Sequence, residues 1–125
     1  SPIRYRKNFL EALKKLILKK ADSIWSVSRI STKYHPLKIL TQKNSYYFKT
    51  YLEKGKKVVA RQQLSETFIR NGIFYFFLIK KFLKHNSIYL PKSLYYEIDY
   101  RYLNIDTKED LLKCKKLSEK LDLDL

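Results

Sequence analysis

The sequence predicts an α/β fold, on three observations. An amphipathic segment runs straight into an alternating extended one near the N-terminus, a dense aromatic strand occupies the middle of the chain, and a second amphipathic segment follows near the C-terminus. Helix-then-strand order of this kind builds sheets flanked by helices. With 45% hydrophobic residues, 11 Tyr and 7 Phe in 125 residues, the chain has material for one domain with a modest packed core and is not expected to be disordered. It is short for an enzyme that must hold two substrates and a metal. It also contains no Met and starts at Ser1, so the expectation is part of a larger protein.

Each element follows from local pattern. From Arg6 to Lys20, Phe9, Leu10, Leu13, Leu16 and Ile17 recur at helical spacing, and Asp22 and Ser23 break the run. The stretch "SIWSVSRI" (23–30) alternates as a strand does, with Ile24, Ser26, Ser28 and Ile30 on one face and Trp25, Val27 and Arg29 on the other. Residues 31–57 carry β-prone runs at 37–41 and 45–51, a turn signal "QKNS" between them and a second turn around Gly55, which together predict a hairpin or arm. The run "GIFYFFLI" (72–79) is apolar on both faces and is expected to be a central strand, followed by a short helix over 78–85. Two short β-prone pieces, "SIYLP" and "LYYEIDY", come next. A helix from about Thr107 to Leu121 sets Leu111, Cys114, Leu117 and Leu121 on one face. Asp106 or Thr107 serves as its N-cap, with Glu109 or Asp110 three residues on completing a capping box. The chain thus reads as a helix–strand unit (1–30), an arm (31–70) and further core strands with a terminal helix (71–125).

Composition narrows the chemistry. The net charge of +15 invites a nucleic-acid reading, because clustered lysines neutralise phosphates. The lysines, however, fall between core positions on helical segments, as solvated faces do, so nucleic acid is not the expected partner. Aromatics interleaved with lysine in "YYFKTY" keep a basic binding module for nucleic acid or another anionic partner as the alternative. With Gly55 and Gly72 the only glycines, no Gly-rich phosphate loop can be written on this chain. His35 and His85 have no cysteine cluster near them, and the single Cys114 excludes an internal disulfide, which fits a reducing cytoplasmic compartment. No apolar run approaches the roughly 18 residues of a membrane span, so no membrane partner is expected.

Several pieces then fall in one order: "SPIR", "ADSIWSVSRI", "HPLK", "RQQLSETFIRNGIFYF" and "LNIDTKEDL". This series resembles the acylneuraminate cytidylyltransferases, which make CMP-sialic acid and related CMP-nonulosonic acids and whose matching pieces look like S-P-L-R, D-S-V-x-S-V, H-P-x-K, R-Q-x-L-P ahead of N-G-A-I-Y, and S-I-D-I-D-T-x-x-D. The resemblance covers essentially the whole chain. It implies the C-terminal portion of a three-layer nucleotidyltransferase domain, similar to the nucleotide-diphospho-sugar transferases, with a protruding β dimerisation arm. The nucleotide-binding half would precede Ser1. The implied reaction is attack of the anomeric hydroxyl of an acidic nine-carbon sugar on the α-phosphorus of CTP, with Mg2+ as cofactor and a homodimer as the working form.

The same resemblance assigns residues. Lys38 and Arg61 match the basic residues that the arm directs to the partner subunit's site. Asn71 and Tyr75 match the element lining the sugar pocket, and Ile88 and Tyr89 match an aromatic pair that closes the pocket from the neighbouring subunit, of which only Tyr89 keeps the aromatic character. Asn104 and Asp106 match the two carboxylates that share magnesium. Here the first is an amide, which removes one negative charge and weakens the expected metal site, so a degenerate, non-catalytic relative is a further alternative. Ser65 replaces the family's proline, and N-G-I-F-Y stands for N-G-A-I-Y.

Overall fold

The computed structural model describes residues 4–58, 60, 62, 64–98 and 105–120. It is a mixed α/β arrangement that divides into two compact units, residues 1–28 with 70–125, and residues 29–69. The first unit begins with helix α1 (Arg6–Leu18), which leads into strand β1 (Ser23–Arg29). The second holds a short antiparallel hairpin of β2 (Leu40–Gln42) and β3 (Phe48–Thr50). Strand β4 (Phe68–Phe77) returns to the first unit, followed by α2 (Ile79–His85), β5 (Ser93–Glu97) and α3 (Lys108–Ser118).

The main sheet has the order β4-β1-β5. β1 and β5 are parallel, with Trp25 opposite Tyr95 and Ser26 opposite Tyr96. β4 runs the other way: Asp22 O accepts from Leu78 N, and Ser26 lies beside Phe74. The aromatic strand expected at the centre is therefore at the edge among the described residues, and β1 holds the middle. Ser23, Ile24, Ser26 and Val27 are all buried, as suits a strand with neighbours on both sides.

Burying serines needs partners, because a hydroxyl taken out of water without a hydrogen bond is costly. β1 supplies them on both flanks. Ser26 Oγ donates to Phe74 O at 3.0 Å and accepts from Phe74 N at 2.9 Å. Ser23 Oγ pairs with Ser93 Oγ at 2.7 Å, and Ser28 Oγ donates to Ile98 O at 3.2 Å. Small side chains also let α1 approach the sheet. Ala12, Leu16, Ala21, Ile24, Ile73, Phe74 and Ile98 form one core, with Phe9 at 5.1 Å from Phe74 and 5.8 Å from Phe76. The helical face read from the sequence is only partly used: Leu10 and Leu13 stay exposed, and Ile17 is 73% exposed. The contact runs instead through Phe9, Ala12 and Leu16, since a helix beside a three-stranded sheet buries a narrow stripe.

Two local expectations hold in detail. Thr107 Oγ1 accepts from Asp110 N while Asp110 Oδ2 accepts from Thr107 N, a complete capping box at the start of α3. In the second unit, the turn around Gly55 is a short 3-10 segment (Glu53–Lys57). A Cβ at Gly55 would fall 2.3 Å from Leu37 O, so glycine is required there by close backbone approach. The piece "SIYLP" is not a strand: residues 88–91 lead into β5.

At the end of β1 that faces α2, Asp22 is buried with its carboxylate against Lys81 Nζ at 3.4 Å and Lys92 N at 3.2 Å. Burial opposes its ionisation, but the Lys92 N–H and the Lys81 ammonium outweigh that and hold its carboxyl below the ordinary aspartate range. A carboxyl depressed in the folded state stabilises the fold above its unfolded value, about 3.9, and that contribution is lost as pH falls through the lower folded value. Asp22→Asn is therefore expected to lower stability at pH 7 and to flatten the loss of stability below about pH 4, measured by urea unfolding across that range. Ser26→Ala strips the side-chain partner from both backbone groups of Phe74 and is expected to cost about 1–3 kcal/mol in the same assay.

Candidate functional site: an aromatic face with an arginine

The two faces of the main sheet are unequal. One carries Ile24, Phe74, Phe76 and Tyr96 and packs on α1. The other carries a row across all three strands, Tyr75, Trp25 and Tyr95, set by the register of β1 with its neighbours. Tyr75 meets Trp25 edge-on at 5.3 Å, and Tyr89, from the loop before β5, lies 5.1 Å from the same indole. Tyr89 and Tyr95 are 66% and 52% exposed, so this face stays open to solvent. Trp25, Val27, Tyr89, Ser93 and Tyr95 line a shallow cavity of about 260 Å³ there. Trp25 Nε1 faces no hydrogen-bond partner although it is buried.

Arg70 joins this face through a bulge. In an uninterrupted strand, residues 70 and 75 point to opposite sides. Gly72, however, has φ +70°, the left-handed conformation found at strand bulges. The pairing shifts across this stretch by an odd number: continuing the Leu78–Asp22 register would set Arg70 opposite Ile30, whereas Ile30 N bonds Thr67 O, three residues away. Past the bulge the side chains swap faces, and Arg70 lies over Trp25, its guanidinium carbon 5.8 Å from the ring, with Nη1 donating to Tyr89 Oη at 3.1 Å.

The residues assigned from sequence are distributed as follows. Tyr75 and Tyr89 share the aromatic face through Trp25. Asn71 is 2% exposed: Nδ2 donates to Ser28 Oγ at 3.0 Å, and Oδ1 accepts from Ile73 N at 3.2 Å. Its amide thus pins the bulge to β1, a structural part next to the site. Lys38 is exposed in the second unit, beside a cavity of about 250 Å³ lined also by Leu37, Thr50 and Gly55. Arg61 and Asn104 lie outside the described residues. Asp106 is exposed, and its carboxylate takes no part in the capping box, which Thr107 and Asp110 complete between them. It is therefore available as one oxygen ligand; among the described residues no group of three or more potential ligands gathers.

Trp25, Arg70 and Tyr95 were not singled out from sequence. Trp25 was readable as a strand residue only, and Arg70 as facing away from Tyr75. The signal for Arg70 was Gly72, a glycine within a strand pattern, which suggests a bulge.

Compared with models of known families and with curated proteins, the chain matches none. Among the described residues no helix is long and apolar enough to cross a membrane.

Gly72→Ala tests the bulge. A Cβ there meets nothing within 4 Å, so the demand is conformational and not steric. The variant is expected to lose about 1–2 kcal/mol in urea unfolding and to shift Trp25 fluorescence as Arg70 leaves the indole; unchanged emission would refute the coupling.

Proposed function

We propose that this chain is the later part of a cytidylyltransferase that joins CMP from CTP to a sialic-acid-like nonulosonic acid and releases pyrophosphate. The observation that carries the reading is the five sequence pieces in one order over the whole chain; Tyr75, from the fourth of them, shares an open aromatic face with Tyr89, which lies outside the five. The mixed sheet with a parallel β1–β5 pair is compatible with it.

In this reading the chain's own residues bind and orient. Tyr75, Trp25 and Tyr89 offer ring faces to the apolar side of the sugar, and the phenols hydrogen-bond its hydroxyls. Asp106 would hold magnesium, which neutralises phosphate charge when bound; the amide at Asn104 supplies no second charge. Lys38 and Arg61 would act across a homodimer through the second unit. Exposed Tyr46, Tyr47, Phe48 and Tyr51 on that unit's hairpin give such an interface its apolar surface.

The same hairpin favours a second reading, a module for anionic polymers. Its exposed rings alternate with Lys43 and Lys49, while the unit's Glu53 and Glu66 are already paired with Lys56 and Arg29. Two measurements separate the readings. The complete gene product, given CTP, Mg2+ and N-acetylneuraminate, is expected to release pyrophosphate only when the acid is present. No release with any nonulosonic acid, together with salt-dependent retention on heparin, would replace the first reading with the second.

A further inference from the structure

The guanidinium of Arg70 is only partly engaged. It has five N–H donors in a planar fork, of which one is given to Tyr89 Oη and one face to Trp25. Among the described residues no carboxylate pairs with it, and it is exposed. Below it lies the Trp25 indole, beside the open cavity that Tyr89 and Tyr95 border. The pieces have complementary needs. An aromatic floor favours a ligand with a flat or C–H-rich ring face, and a free arginine fork favours a planar carboxylate.

We propose that Arg70, carried onto this face by the Gly72 bulge, is the residue that selects a carboxylate on a ring-shaped ligand, taking the acid group on its unused edge while the ring rests against Trp25 and Tyr89. A simple anion gains nothing from the rings, and a neutral sugar gains nothing from the fork, so the face discriminates for the two features together. This rests on the proposed function for the identity of the ring, a nonulosonic acid, and adds the residue that reads its charge. Tyr89 acts by positioning: its hydroxyl holds one arm of the fork over the indole.

Trp25 is the one tryptophan of the chain, so its emission reports on this face directly. Titrating the protein with N-acetylneuraminate, with its methyl ester and with CMP is expected to give at least about tenfold tighter binding for the acid than for the ester. Arg70→Gln is expected to erase that preference while leaving the ester's affinity unchanged, and Arg70→Lys to keep only part of it. Tyr89→Phe, which leaves the guanidinium in place, is expected to weaken the acid severalfold and still favour it over the ester. An unchanged thermal midpoint in Arg70→Gln makes the comparison valid; if that variant unfolds, the Lys and Tyr89→Phe proteins decide it. Equal binding of acid and ester, an Arg70 variant with its preference intact, or CMP as the tightest ligand would overturn the proposal. Pyrophosphate release by the complete gene product with an unaltered KM for the acid in Arg70→Gln would refute the role of Arg70 and leave the proposed function standing. An Arg70-dependent preference without pyrophosphate release would do the reverse.

Discussion

The structure depends on the burial of β1. A strand that passes between two others must find partners for the polar groups it buries, and this one carries three serines and follows an aspartate. Each is answered by a specific neighbour: Ser23 by Ser93, Ser26 by the backbone of Phe74, Ser28 by Ile98 and Asn71, Asp22 by Lys92 and Lys81. These bonds fix the register of β4 and β5 on β1, and a one-residue slip would leave them all unmade. Register in turn decides which rings share the open face. The alignment of Tyr75, Trp25 and Tyr95 is a consequence of how the serines are satisfied on both flanks.

The bulge is the second device, and it depends on the first. Asn71 spends both ends of its amide on Ser28 and Ile73, so the irregular backbone around Gly72 is held by a side chain that is itself buried. A strand distortion with that much internal support has one persistent form. Its product is a cation lifted onto an aromatic surface, where the ring quadrupole helps to hold it. The sheet therefore supplies rigid rings, and the bulge supplies a single charge at a set height above them. Binding surfaces that mix rigid aromatic area with one oriented charge lose little conformational entropy when a ligand arrives.

Much of this was legible in the sequence, for physical reasons that differ by element. The "SIWSVSRI" alternation, the "QKNS" turn and the T-K-E-D start of α3 are local signals, and each gave its element close to its observed position. The use of α1 was less legible: five apolar residues mark its face, but how many are covered depends on how wide the neighbouring sheet is. The place of β4 at the sheet edge, among the described residues, was hidden because an apolar strand packed on a helix on one side and on aromatic rings on the other has the composition of a central one. The site was legible only in part. Tyr75 and Tyr89 came from a resemblance, whereas Arg70 was concealed by parity, since strand period places it opposite Tyr75 until the irregular backbone at Gly72 is recognised. Trp25 gave no sign of its role, because an aromatic residue in a strand is ordinary core until its neighbours are known.

In the proposal made above, the face around Trp25 and Arg70 receives an acidic sugar. The most direct measurement is the amide and indole nitrogen–proton NMR spectrum of the protein during titration with N-acetylneuraminate, in which the lone indole signal identifies Trp25 without ambiguity. This signal and the side-chain signal of Arg70 are expected to move first and saturate together, as the ligand's ring settles against the indole and its carboxylate on the guanidinium. Saturable shifts confined to other residues, with the indole signal unmoved, would contradict it.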